Sequence, residues 1–241
     1  HAGFAVLEDF GDTLLLSALE SQSPEQLYTQ AFDTLHRFQT WNPSELCLAR
    51  FDEPHMMQEL FLFKDWFLEG YLNITLTQQE TLLLNSTFDQ IIEKIMSQPI
   101  VPIHRDFHAR NLMLLDTNTL GVIDFQDAMI GPMTYDLVSL LKDCYVQWEP
   151  LQIIQWMTQF YYQSPIAQTR SLESFKEGFD WCGIQRHLKV LGIFARLYLR
   201  DNKPGYLQSM PLPLHYLKTE LQEYTICAPL LQFIEEKVSL P

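Results

Sequence analysis

The 241-residue sequence is short of basic side chains: 16 lysines and arginines stand against 30 aspartates and glutamates, a formal charge of −14. A polyphosphate backbone would be repelled unless a basic patch were segregated, and none is visible along the chain, so no nucleic-acid partner is expected. Cysteines are few and scattered, at 47, 144, 182 and 227, with no C-x-x-C pair. That spacing gives no support to a disulfide framework or zinc knuckle and suits free thiols in a reducing, cytoplasmic compartment. Long apolar runs are missing too. The oiliest stretches, 60–68 and 188–199, carry Lys64, Asp65, Lys189 or Arg196, whereas a membrane span needs ~18 residues nearly free of charge. A soluble protein with no membrane partner is the expectation. No repeats, low-complexity tracts, signal peptide or obvious linkers are visible in the sequence. Because the first residue is His1 rather than Met, an upstream segment is expected. Nothing in the sequence speaks to oligomeric state.

What is there is apolar: 47% of the residues supply a core for one large domain or two small ones. FAVLEDFGDT (4–13) opens like a strand and turns acidic. Ser23 and Pro24 then open a helix whose apolar residues fall at 27, 31, 32, 35 and 38. Met56, Leu60, Phe63, Phe67 and Tyr71 recur at helical steps while Gln58, Asp65 and Glu69 take another face, which predicts a second amphipathic helix, and Glu59 and Asp65, as charges on it, read as a solvated face. Thr77 with Glu80 reads as a capping box for a third helix that Pro99 ends. Then the pattern shortens. IVPI (100–103), NLMLL (111–115) and LGVIDF (120–125), with the turn-forming DTNT between the last two, predict a small β-hairpin. Helical spacing returns at 134–147, 150–162, 171–200 with a break or bend near Gly183 or Gly192, 213–224 and 229–238. The expected fold class is α+β and mostly helical, interrupted by one polar, hairpin-bearing insertion.

That insertion, HRDFHARNLMLLDTNTLGVIDFQDA (104–128), concentrates titratable groups in an otherwise oily chain. A hydroxyl attacking the γ-phosphate of ATP needs a carboxylate to orient it and accept its proton, and oxygen ligands to hold magnesium against the phosphates. His104-x-Asp106 followed by Asn111 matches the H-x-D-x-x-x-x-N loop, in which the aspartate is the base and the asparagine a metal ligand. Asp124, at the end of the returning strand, stands where a second metal-binding carboxylate belongs. The loop pattern alone is weak; its setting between a short apolar strand and a hairpin ending in IDF is much stronger.

Joined to GPMTYDLVSLLKD (131–143), the stretch resembles the catalytic core of the aminoglycoside phosphotransferase and choline kinase family, which shares the protein-kinase-like fold. Arg105 in place of a usual glycine, DFQDA (124–128), ELFLFKDWFL (59–68) and QRHLKVLGIFARL (185–197) resemble most the anomeric kinases of N-acetylmuramate and N-acetylglucosamine in cell-wall recycling. The resemblance implies ATP and Mg2+ as cofactors, a small-molecule sugar as acceptor, Asp106 as base, and Asn111 and Asp124 as magnesium ligands. It places His108 near the transferred phosphate, Met113 and Ile123 under the adenine, and backbone groups around Glu8 and Phe10 of LEDFGD (7–12) at the adenine edge. Asp136 becomes a structural partner of the loop. The implied organisation is a hinge-like segment over 1–12 and a helical C-terminal lobe over 13–241, with the β-rich N-terminal lobe and its phosphate-pairing lysine absent. Such a lobe alone would turn over little or nothing.

Alternatives stay open at several positions. The reaction could equally be that of an aminoglycoside, choline or homoserine kinase, or the chain a non-catalytic kinase-like binding module. Arg105 and Arg110 either neutralise nearby carboxylates, or one of them meets the lactyl carboxylate of N-acetylmuramate. Asp127 is a third carboxylate near the metal or a cap for the segment after it. His104 reads as structural, Arg186 and His187 as mainly core, and the aromatics of 61–67 as core at helical spacing rather than a sugar-stacking platform.

Overall fold

The computed structural model describes residues 8–42, 47–115 and 119–240. Helices dominate, in accord with the mostly helical α+β class: α1 (Leu15–Ala18), α2 (Pro24–Gln39), α3 (Glu53–Leu62), α4 (Gln78–Met96), α5 (Tyr135–Leu141), α6 (Pro150–Gln163), α7 (Leu172–Leu199), α8 (Pro211–Gln222) and α9 (Ala228–Lys237). Local chemistry sets several ends. Thr77 Oγ1 accepts from the Glu80 N–H at 3.2 Å while Glu80 accepts from the Thr77 N–H at 2.8 Å, a closed capping box that starts α4. Asp52 caps α3 through the His55 N–H, and Pro24 opens α2. The expected second helix forms but changes pitch: after Leu62 it continues over Phe63–Tyr71 as a π-helix. Phe63, Phe67 and Leu68 are buried there, as the core reading of those aromatics requires.

Four short strands carry the polar insertion. β1 (Ile100–Ile103) pairs antiparallel with β4 (Met129–Pro132), and β2 (Leu112–Leu114) pairs antiparallel with β3 (Leu120–Val122) as the expected hairpin. The turn residues 116–118 of that hairpin lie outside the described residues, as does the 4–7 part of the opening stretch. Residues 8–13 form no strand, and Leu14 makes only a single bridge to Met113. α1 and β4 were not expected; the latter is four residues long and holds the Gly131-Pro132 pair. α5 stops at Leu141, short of the expected 147, because Asp143 turns its carboxylate to the backbone N–H groups of Ala109 and Tyr145 instead of continuing the helix.

α7 is the frame of the lobe. Every residue from Gly178 to Gly192 is buried, so it is enclosed on all sides, and the charged residues within it need partners. It is one continuous helix over Leu172–Leu199, with no break at Gly183 or Gly192. Gly192 serves close packing instead: a Cβ there would sit 2.3 Å from Leu62 C and 2.5 Å from Leu62 O, backbone atoms at the junction of α3 and the π-helix. Gly192→Ala, which in an isolated helix gains about 1 kcal/mol, is therefore expected to destabilise by about 2–3 kcal/mol. A melting temperature at or above that of the parent would show that the two helices do not touch at this point. Among the described residues no helix is long and apolar enough to cross a membrane.

Candidate active site

The loop leaving β1 is held by backbone-directed carboxylates on both sides. Asp136, wholly buried near the start of α5, accepts from the N–H groups of His104 at 2.6 Å and Arg105 at 2.9 Å. Burial lifts its carboxyl to about 6, against the pull of His104 and those two donors. Asp143 accepts from the Ala109 N–H at 3.0 Å. Buried His104 bonds the Ile123 carbonyl through Nε2 at 2.9 Å, while its Nδ1 accepts from the Asp106 N–H at 3.3 Å. The loop so tied holds Arg105 at φ 75°, and Asp124 opens the far side of the site at φ 64°, both in the left-handed region that side chains normally avoid.

Within this frame Asp106, His108, Arg110, Asn111 and Asp124 line one open cavity of about 400 Å³. Tyr145, Arg186, Val190, Phe194 and Tyr206 complete its walls. Asn111 donates from Nδ2 to the Asp106 carbonyl at 2.9 Å, a bond that does not use its Oδ1. Its carbonyl accepts from the Ile123 N–H at 3.0 Å, so the loop and the strand delivering Asp124 are directly joined. An amide oxygen and a carboxylate, with room left for water and phosphate oxygens, are the hard donors that Mg2+ takes.

Cations surround the candidate base. Arg186 donates from Nη1 to the Arg105 carbonyl at 3.0 Å and reaches Asp106 Oδ1 at 3.4 Å. Burial would raise the Asp106 carboxyl, but Lys189 and Arg186 outweigh it and hold the group far below the usual carboxylate range. Burial also lowers His108, which keeps its imidazole neutral near pH 7; its Nδ1 is buried with no protein partner.

Glu59 corrects the reading of a solvated face. It is only 7% exposed, pairs with Arg105, approaches Lys189 at 3.0 Å and accepts from Gln185 at 2.9 Å. Burial works against its charge, yet Lys189 and Arg105 hold its carboxyl below the ordinary value. Sequence reasoning missed this cluster. The usable signal was the charged run Arg186, His187 and Lys189 inside an apolar helix, since buried charges require partners. Arg186 and His187 are core, as read, but Arg186 also faces the cavity.

The remaining candidates lie elsewhere. Arg105 is bound by Glu59, donates to the Asp127 carbonyl at 3.4 Å and rests over Phe51; neither it nor exposed Asp127 lines the cavity. Phe10 packs on the hairpin at Gly121, where a Cβ would fall 2.5 Å from the Phe10 ring, so the contact requires glycine. Met113 is the register partner of Gly121, which places Phe10, Met113 and the start of the described chain together. Ile123 borders the loop, and Glu8 is exposed.

A loop bearing a candidate base, tied to a hairpin that ends in a carboxylate and set on a helical lobe, is the layout expected of a kinase-like phosphotransferase. Residues 1–165 match the APH phosphotransferase enzyme family, and the chain belongs to that family. Among curated proteins it is similar to the N-acetylmuramate/N-acetylglucosamine kinase of Neisseria meningitidis serogroup B, 39% identical over 243 residues that cover 98% of this chain and 72% of that protein. Among solved structures it is similar to a choline/ethanolamine kinase family protein from Mesorhizobium loti (TM-score 0.60, 10% identity, 92% of this chain and 71% of that one). The ADP-bound aminoglycoside phosphotransferase APH(2'')-Ib is another (TM-score 0.54, 15% identity, 86% and 69%). These two likenesses show the protein-kinase-like fold.

Proposed function

We propose that this chain carries the catalytic loop of an ATP- and magnesium-dependent sugar kinase that phosphorylates the anomeric hydroxyl of N-acetylmuramate and N-acetylglucosamine. The observation that carries the reading is the convergence of Asp106, Asn111 and Asp124 on one cavity, in a chain 39% identical to a kinase named for those sugars. Asp106 orients the acceptor hydroxyl and takes its proton at the carboxylate; Arg186 keeps that carboxylate ionised and fixed. Asn111 and Asp124 would hold Mg2+, which when bound neutralises charge on the phosphates. His108 shares the cavity wall and is read as a neighbour of the transferred phosphate. The segment around Glu8 and Phe10, with Met113 and Ile123, is read as the adenine side of the site, and residues 13–241 as the helical lobe that bears it.

The acceptor's own acidity favours C1: a hemiacetal hydroxyl is more acidic than an ordinary ring hydroxyl and gives up its proton to a carboxylate more readily. The test uses the protein as its gene encodes it, with Mg2+, ATP and either free sugar. The expected product is a sugar 1-phosphate, identified by phosphorus NMR, and no transfer to the methyl glycoside of N-acetylglucosamine, whose C1 oxygen is blocked. Phosphorylation of the glycoside, or activity on aminoglycosides, choline or homoserine alone, would overturn the assignment.

A further inference from the structure

Arg105 and Arg110 look interchangeable along the sequence, and the structure separates them. Arg105 is committed to Glu59 and the Asp127 carbonyl. Arg110 is exposed, on the wall of the cavity that holds Asp106. Its guanidinium carbon lies 3.6 Å from the centroid of the Tyr145 ring, so it is stacked on that ring, and among the described residues no carboxylate is within ion-pair distance. In a chain with 30 acidic and 16 basic side chains, an unpaired guanidinium beside the candidate base is unusual. Stacking takes up one face of the guanidinium and leaves its N–H edges for a planar anion. The platform is itself fixed: the Tyr145 N–H donates to Asp143 at 3.0 Å and its ring meets the His108 ring edge-on, with centroids 5.6 Å apart.

We infer that Arg110 recognises a carboxylate on the acceptor and makes the site discriminate in favour of an amino sugar bearing one. The inference rests on the sugar-kinase reading above and assigns a residue to its specificity. Exposure is part of the device. A guanidinium that stays hydrated when no anion is present adds no penalty of a buried unpaired charge, so a neutral amino sugar can still occupy the cavity. Tyr145 acts as a positioning residue, through Arg110.

The test measures kcat/KM for N-acetylmuramate, its lactyl amide and N-acetylglucosamine in the parent, Arg110→Ala, Arg110→Lys and Tyr145→Leu, each in the protein as its gene encodes it. Arg110→Ala is expected to lower the N-acetylmuramate to N-acetylglucosamine ratio about tenfold, through KM rather than kcat. Arg110→Lys restores part of that ratio, because the charge remains without the fork, and Tyr145→Leu lowers it by less than Arg110→Ala. In the parent, converting the carboxylate to its amide costs the same factor; in Arg110→Ala it costs little. An unchanged ratio, or a loss shared by both sugars together with a raised KM for ATP, would assign Arg110 to the nucleotide phosphates and overturn the inference. A parent that phosphorylates neither sugar would instead remove the reaction on which it rests.

Discussion

Changing Asp106 to asparagine is expected to cut kcat by between about 10² and 10⁴, with KM for nucleotide and sugar moved by no more than about threefold. Asparagine keeps the shape and can still accept a hydrogen bond, so orientation survives in part while the proton loses its acceptor. The neighbouring cations sharpen the expectation. Lys189 and Arg186 hold the Asp106 carboxyl well below its ordinary value, so it stays ionised across the neutral and mildly acidic range. The parent should therefore show no acid limb assignable to this group. An activity loss near pH 6 would point to Asp136, lifted to about 6 by burial, and would persist in residual activity of the Asp106 variant. Rates equal to the parent, in a variant whose circular dichroism and melting match it, would end the assignment of a base.

What could be read from the sequence was what is local in it. The Thr77 and Glu80 capping box, the loop from His104 to Asn111 and the β2–β3 hairpin each close within a few residues, and spacing alone shows them. What escaped depends on distance along the chain. Glu59 meets Arg105 and Gln185 across 46 and 126 residues, and its charge alone assigned it to a solvent face although it stands three residues after Met56 and four before Phe63. That rule fails where a helix is packed on more than one side, as α3 is against α7. The same enclosure explains Gly192, which looks like a helix breaker until its neighbour is known to be the backbone at Leu62. β4 was missed for the converse reason: a four-residue strand with no periodicity of its own is defined only by its partner β1. Likewise Arg105 and Arg110 carry the same charge in the same loop, and only the positions of Glu59 and Tyr145 give them different work.

Glu59→Leu is expected to destabilise the protein by about 3–5 kcal/mol, because it removes one partner of a buried ion cluster and leaves the others charged. Lys189 is 4% exposed and Glu59 7%; with the carboxylate gone, the hydrogen bond left to Lys189 among the described residues is the Tyr135 hydroxyl at 3.3 Å. Arg105 loses its ion pair while its backbone remains at φ 75°, so the loop carrying Asp106 loosens and kcat should fall with stability. Adding Lys189→Met to Glu59→Leu is expected to recover a substantial part of the lost stability, since an apolar pair of similar size replaces the ion pair. The pH dependence has a definite sign. A carboxyl held below its unfolded value contributes stability above about pH 4.3, and that contribution is lost as pH falls through the lower folded value. Asp136, raised to about 6, has the opposite sign, contributing most in acid and losing its contribution as pH rises through that value. Urea unfolding from pH 7 down to pH 3 of the parent and of Glu59→Gln separates the two, because the glutamine variant should show a shallower acid loss and the same change near pH 6. A Glu59→Leu protein as stable as the parent, or a double variant no more stable than the single one, would mean that the cluster neither holds the loop nor is sealed from water.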